Sequence, residues 1–89
     1  MSKFVFDIYI AGQTSRAKRA IKNLHDICEA VIPGEYTLAI IDVLEQPDKA
    51  EENKILATPT LVKKQPGPQR RIIGDLANME KVVRALEIE

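Results

Sequence analysis

Hydrophobic and polar residues alternate near the start of the chain, and this alternation predicts a β-strand over Phe4–Ile10. β-Branched and aromatic residues fill the segment, as is typical of strands. The strand is expected to carry an apolar row on one face, formed by Phe4, Phe6, Ile8 and Ile10, with Val5, Asp7 and Tyr9 on the other.

A helix and a second strand are predicted next. Turn and capping residues at 12–15 precede apolar residues at helical spacing, and Pro33 and Gly34 are expected to end the helix. Its apolar positions are Ala17, Ala20, Ile21, Leu24, Ile27, Cys28 and Val31. Residues 37–43 are nearly all apolar, which predicts a central strand covered on both faces. Together these elements form a βαβ unit, which is right-handed in almost every known case.

The second half of the chain predicts a short helix, a hairpin and a final helix. Residues 46–56 have Pro47 near their start and the acidic residues Asp48, Glu51 and Glu52 in their first turns, a favourable composition for a helix N-terminus. Two strands, 60–64 and 70–73, flank the proline-rich loop 65–69, and a last helix is expected over 78–86. The resulting α/β order, βαβαββα, resembles the thioredoxin arrangement.

Pro59 interrupts the apolar run 55–61 between Thr58 and Thr60. Because proline has no backbone N–H, it cannot lie inside a central strand. The sequence therefore predicts that Pro59 marks the entry to an edge strand or a cis turn, the place where thioredoxin-like proteins present backbone to a partner.

The C-terminal segment 82–88 has conflicting local preferences. Val82 and Val83 lower its helix propensity, and its tail alternates like a strand. Gly74 and Asp75 precede it and can serve as a joint. Such a conflict makes two packings of similar free energy conceivable.

Composition limits the functions that need to be considered. The 89 residues correspond to one domain, residues 1–89, and 13 basic residues balance 13 acidic ones. A net charge of zero gives no global attraction to nucleic acid or to an anionic membrane, and no segment reaches transmembrane length. The single cysteine excludes an intrachain disulfide and suits a reducing cytoplasm, where we expect the protein to reside.

Thiol and metal chemistry are not expected. Thioredoxin catalysis needs a low-pKa thiolate at the first helix N-terminus and a second thiol, whereas residues 13–16 read Gln-Thr-Ser-Arg. Cys28 falls on the apolar helix face and His25 on a solvated one. Because no spacing supplies converging ligands, we expect no catalytic residue, no metal and no cofactor.

Basic residues form two groups. The outer face of the first helix carries Arg16, Lys18, Arg19 and Lys22, and the hairpin carries Lys63, Lys64, Arg70 and Arg71. Cations on an edge hairpin also prevent strand-to-strand aggregation, and this explanation is as good as a docking role on an acidic protein surface.

Four segments, 4–12, 41–44, 54–61 and 70–76, resemble the KaiB family of circadian clock proteins in register over nearly the whole chain. The resemblance implies a non-enzymatic partner of KaiC, a hexameric RecA-like ATPase whose N-terminal ring binds KaiB, and leaves open whether KaiA joins the complex. It also implies a switch between a thioredoxin-like monomer, which binds the ATPase, and a homotetrameric ground state, βαββααβ, with a rearranged second half.

The resemblance assigns roles to individual positions. The residues matching ring-binding cations are Arg19, Lys54, Lys63 and Arg70. The residues matching the switch are Phe4, Gly74 and Asp75. Phe4 replaces a tyrosine of the clock protein and Ser15 replaces a proline, departures that fit a divergent homologue.

We expect the chain to adopt the thioredoxin-like form. The alternative is the ground state, in which residues 58–73 refold. A different function on the same fold is the sensory input domain of a clock histidine kinase. The short chain without a linker or coiled coil argues against that function.

Overall fold

Seven elements follow one another in the predicted order βαβαββα. The computed structural model describes residues 3–88, so residues 1, 2 and 89 of the predicted domain lie outside the description. The elements are β1 (Phe4–Ile10), α1 (Ser15–Val31), β2 (Tyr36–Asp42), α2 (Pro47–Glu52), β3 (Thr60–Gln65), β4 (Arg70–Ile73) and α3 (Met79–Leu86). The thioredoxin-like expectation is confirmed.

One mixed sheet organises the described residues, with strand order β2-β1-β3-β4. β2 runs parallel to β1, β3 pairs antiparallel with the other side of β1, and β4 pairs antiparallel with β3. The prediction of a central second strand is therefore wrong: β2 is an edge strand, and Ile40 on it is 49% exposed. The apolar run alone cannot show whether a strand is central or at an edge, because the strand order depends on which side of β1 pairs with β3.

The proline turn leads into β3, which lies between β1 and β4. The Thr58–Pro59 peptide bond is cis and Thr60 is the first residue of β3. Of the two alternatives drawn from the sequence, the cis turn is confirmed and the edge strand is wrong.

The main core lies between one face of the sheet and the helices α1 and α3. The apolar row predicted for β1 is fully buried there, together with Leu24 of α1 and Leu86 of α3. A smaller cluster on the other face contains Tyr9, Ile41 and Val62. α2 contributes no buried residue, so this second face has only a thin cover.

The ends of α3 explain why the C-terminal segment is helical in this form. The Asn78 side chain accepts a hydrogen bond from the Lys81 N–H at 3.0 Å, an N-cap contact. At the other end Glu87 is left-handed, with φ 55°, and the Ile88 N–H donates to the Val83 carbonyl at 3.2 Å. Ile88 is buried in the main core, so the strand-like tail completes a helix cap.

Candidate partner-binding site

The residues assigned by resemblance divide between two ends of the sheet. The antiparallel register places the end of β1 near Thr60 and its start near Gln65. Pro59, Gly74 and Asp75 therefore lie at one end, here called the proline end. Phe4, Lys63 and Arg70 lie at the other, the hairpin end. Four residues of β4 separate the two ends, a distance on the order of 13 Å.

Backbone hydrogen bonds organise the proline end. The Gly74 N–H donates to the Pro59 carbonyl at 3.0 Å, and the Thr60 hydroxyl donates to the Ala57 carbonyl at 2.6 Å. One carboxylate oxygen of Asp42 accepts from the Gly12 N–H at 3.2 Å and from the Leu44 N–H at 2.9 Å. Asp42 thus holds the loops that follow β1 and β2, a structural role that its position in the sequence did not reveal.

The N-terminus of α1 lies where thioredoxins carry their reactive cysteine, and it holds no thiol. The Thr14 hydroxyl accepts from the Ala17 N–H at 3.0 Å and caps the helix. Cys28 is completely buried, and burial, with a smaller contribution from Glu29, raises the pKa of its thiol to about 12. A neutral buried thiol is neither a nucleophile nor a redox partner at physiological pH.

Asp75 connects the β4–α3 loop to α1. Its backbone carbonyl accepts from the Asn23 side-chain amide at 2.7 Å, and its carboxylate lies 3.7 Å from the Arg19 Nε. Arg19 is therefore at the proline end, with 59% of its side chain exposed. Sequence reasoning missed Asn23, because its partner is 52 residues away.

At the hairpin end only one of the two assigned cations is open to a partner. Arg70 is exposed and its Nη2 donates to the Glu87 Oε1 at 3.0 Å. Lys63 is 2% exposed, because it lies between Phe6 of β1 and Arg70 of β4 on the helix-covered face. The expectation of an open cation cluster is therefore wrong for Lys63, whose part in binding stays a prediction.

Lys54 lies outside both groups. It follows α2, is exposed and has a left-handed backbone, with φ 54°. The Arg71 guanidinium donates to the Lys54 carbonyl at 3.2 Å and to the Asn53 carbonyl at 2.9 Å, and so fixes the end of α2 against β4. The four assigned cations thus do not form one patch.

Phe4, assigned to the switch, is a core residue at the hairpin end. It is 6% exposed and its ring lies parallel to that of Phe6, with centroids 6.4 Å apart. Lys3 places its Nζ 5.6 Å from the Phe4 ring centroid, within the range of a cation–π contact.

A metal site and a membrane-spanning helix are both absent from the part of the chain that the structure describes. Across residues 3–88, no group of three His, Cys, Asp or Glu side chains is arranged to hold a metal ion. No helix formed by the described residues is long and apolar enough to cross a membrane.

Comparisons with known proteins identify relatives of the chain. The family model described as KaiB domain matches residues 7–88. "Circadian clock protein KaiB3" of Synechocystis sp. is 49% identical over 88 residues, 99% of this chain and 86% of the relative. "Circadian clock oscillator protein KaiB" of Thermostichus vulcanus is 53% identical over 85 residues, 96% of this chain and 79% of the relative.

Solved structures with the same fold include a domain of SasA and a thioredoxin. The N-terminal domain of Synechococcus elongatus SasA matches with a TM-score of 0.79 and 20% identity, covering 94% of this chain and 79% of that one. Oxidized mitochondrial thioredoxin 3 of Saccharomyces cerevisiae matches with a TM-score of 0.75 and 23% identity, covering 98% and 79%. At these identities the likeness shows the fold alone.

Proposed function

The chain belongs to the KaiB family of circadian clock proteins, and from this premise we propose that it is a non-enzymatic regulator that binds the N-terminal ring of a KaiC-type hexameric ATPase. One observation carries the proposal. The thioredoxin-like scaffold keeps its helix N-terminus and proline turn, but Thr14 caps the helix where a thiol would be needed. The scaffold is thus suited to presenting a surface and not to exchanging disulfides.

The proposed contact surface uses the three exposed cations assigned by resemblance, Arg19, Lys54 and Arg70. Arg19 and Arg70 are partly neutralised by Asp75 and Glu87 within the chain. Among residues 3–88, no carboxylate forms an ion pair with Lys54. An acidic group on the ATPase ring would therefore interact most favourably with Lys54, because no carboxylate of residues 3–88 competes for this lysine.

We include a fold switch in the proposal. The thioredoxin-like form is the binding form, and the βαββααβ homotetramer is its inactive alternative, with Phe4, Gly74 and Asp75 at the switch. Two features support Gly74 and Asp75. Gly74 has a φ of +126°, which side chains rarely tolerate, and Asp75 ties the rearranging half to α1. KaiA as a third component and a cytoplasmic location complete the proposal.

The decisive experiment measures binding to a purified KaiC-type hexamer for wild type, Lys54→Glu and Lys49→Glu. Lys49 lies on α2 and is exposed, so it is a matched control for reversing a charge in the same region. We expect Lys54→Glu to weaken binding about tenfold or more, which corresponds to about 1.4 kcal/mol. Equal affinity of the two variants would show that the proposed surface is wrong.

A second candidate function is a sensory input domain of a clock histidine kinase. The SasA N-terminal domain has the same fold, with a TM-score of 0.79, so the fold is compatible with this function. The identity of that match is 20%, against 49% and 53% for the two KaiB relatives, so the first proposal has the stronger support. A kinase module encoded in the same reading frame would establish the second function.

A further inference from the structure

β4 lies at an edge of the sheet, and part of its backbone faces away from β3. The Gly74 N–H donates to the Pro59 carbonyl, so the backbone groups of Gly74 point towards β3. Alternate residues of an antiparallel strand direct their N–H and C=O groups to opposite sides. Arg71 and Ile73 therefore direct theirs outwards, where a further strand can pair with them.

A cavity lies directly beside this edge. It forms where the chain leaves β4 and passes through the loop 74–78 into α3, and its volume is ≈ 200 Å³. Its apolar lining consists of Ile72, Ile73, Leu76 and Val82. Pockets for small molecules and cofactors have volumes of about 300–1,000 Å³. The cavity is smaller than these and suits a single apolar side chain.

Two cations beside the cavity form no ion pair with a carboxylate of residues 3–88. Lys81 lines the cavity and is exposed. Arg71 belongs to the edge itself, and its guanidinium donates to two backbone carbonyls, which leaves its charge uncompensated. Asp75 also lines the cavity, but its carboxylate lies 3.7 Å from the Arg19 Nε. The excess of positive charge favours an acidic partner.

We propose that the β4 edge and its cavity bind an extended acidic segment of a partner protein by strand addition. Pairing with the outward groups of Arg71 and Ile73 forms about four hydrogen bonds. Cross-strand neighbours share a face of the sheet, so the partner residue beside Ile72 points to the helix-covered face. An apolar side chain at this position enters the cavity, and neighbouring carboxylates meet Arg71 and Lys81.

The charges of the chain itself argue against a second copy as the occupant. β4 begins with Arg70 and Arg71, so pairing two β4 edges would bring arginines of both copies together. The other edge strand, β2, has no acidic residue before Asp42 at its end and could not supply the carboxylates. A foreign acidic segment satisfies both the apolar cavity and the cations.

The peptide site goes beyond the proposed ATPase contact. Lys54, Arg70 and Arg19 carry that contact, and none of the three lines the cavity. Variants of the cavity residues Lys81 and Ala77 should therefore bind the hexamer as wild type does. Loss of peptide binding with hexamer binding intact is distinguishable from failure of the ATPase proposal.

Fluorescence anisotropy with a fluorescein-labelled synthetic octapeptide tests the charge contact. The probe carries one leucine between aspartates in a valine-rich strand. Lys81→Glu should weaken its binding about threefold to tenfold. Arg84→Glu is the matched control, because Arg84 is exposed on the same helix and does not line the cavity, and it should bind like wild type. Equal affinity of the two variants, or a wild type that binds no probe, would overturn the proposal.

Ala77→Trp tests the cavity without changing any charge. Ala77 is exposed and lines the cavity, so an indole group at this position can fill it. The leucine probe should then bind about tenfold more weakly, because its side chain is no longer buried. A probe with serine in place of leucine should bind both proteins alike. Equal loss for the two probes would show that the cavity does not hold the leucine.

Amide hydrogen exchange of the wild-type protein gives a readout that does not depend on a variant remaining folded. Saturation with the leucine probe should slow exchange of the outward Arg71 and Ile73 amides, because strand addition gives them acceptors. Binding through charge alone would leave their exchange unchanged. Unchanged exchange at both amides, or protection confined to β2, would contradict pairing at the β4 edge.

Discussion

The Gly74 amide donates a hydrogen bond to the Pro59 carbonyl oxygen at 3.0 Å. This contact fastens the joint between β4 and α3 to the turn that leads into β3. Gly74 makes it with a φ of +126°, a backbone conformation that residues with a Cβ rarely adopt. Gly74 thus holds the proline end. Glycine is needed there because of its backbone conformation, and not because a side chain would lack space.

We predict that Gly74→Ala destabilises the thioredoxin-like form by about 1–3 kcal/mol, the usual cost of a non-glycine residue in a sparsely populated region. A methyl group at this position would meet no atom within 4 Å, so the loss would come from the backbone alone. Urea unfolding measures it. Gly67→Ala is the control, since Gly67 also has open space around it but lies outside the positive-φ range. Equal stability of both variants would contradict the argument.

Local signals in the sequence predicted much of the fold. The alternation in Phe4–Ile10 identified the buried row of β1 correctly, because the spacing of two residues is set by the strand itself. Asn78 was expected at the start of the last helix and is its N-cap. Such features need only neighbouring residues, so they can be read without knowing the tertiary arrangement.

Features that depend on distant contacts were not predictable in this way. The edge position of β2 follows from the pairing of β3 with the other side of β1. The burial of Lys63 follows from its neighbours on β1 and β4, and the hydrogen bond from Asn23 to Asp75 joins residues 52 positions apart. At the candidate site the resemblance supplied residues, and only the structure showed that they are spread over two ends and two faces of the sheet.

Glu87 provides a test of the α3 cap. Its φ of 55° costs a non-glycine residue about 1–2 kcal/mol, whereas its exposed ion pair with Arg70 is worth about 0–1 kcal/mol. Glu87→Gly should therefore raise the free energy of unfolding, by at most about 2 kcal/mol. Arg70→Gln, which removes the ion pair and keeps the strain, should lower it slightly. A loss of stability in Glu87→Gly equal to that in Arg70→Gln would show that glycine relieves no strain at this position.

Cys28 gives the fold a dependence on alkaline pH. Burial raises the pKa of its thiol from 9.0 to about 12, so the folded state binds the thiol proton more tightly than the unfolded state. The resulting stability is complete below pH 9.0 and is lost as the pH rises towards about 12. Its slope is at most about 1.4 kcal/mol per pH unit.

The measurement compares the urea midpoint of wild type with that of Cys28→Ala from neutral pH to pH 11 or so. Cys28→Ala should be less stable at neutral pH, because it leaves a small cavity, and its stability should fall less steeply above pH 9.0. Tyr9, whose pKa is also raised, titrates in both proteins and cancels in the comparison. Tyr36 cancels apart from its coupling to Cys28, the last of the causes that raise its pKa. Parallel curves would show that the thiol is not the titrating group.

Lys63 allows a role in stability to be separated from a role in binding. It is 2% exposed, lies directly opposite Arg70 in the β3–β4 pair, and forms no ion pair with a carboxylate of residues 3–88. Lys63→Met keeps the apolar stem and removes the like-charge contact, so we expect stability to be unchanged or raised by up to about 1 kcal/mol. If Lys63 also contributes its charge to the ATPase contact, the same variant should bind the hexamer more weakly while remaining fully folded.

Lys64→Met is the control, because Lys64 is exposed and its Nζ lies 3.6 Å from the Asp7 carboxylate. A clear loss of stability in Lys63→Met alone would mean that the ammonium group makes a favourable interaction in the folded state.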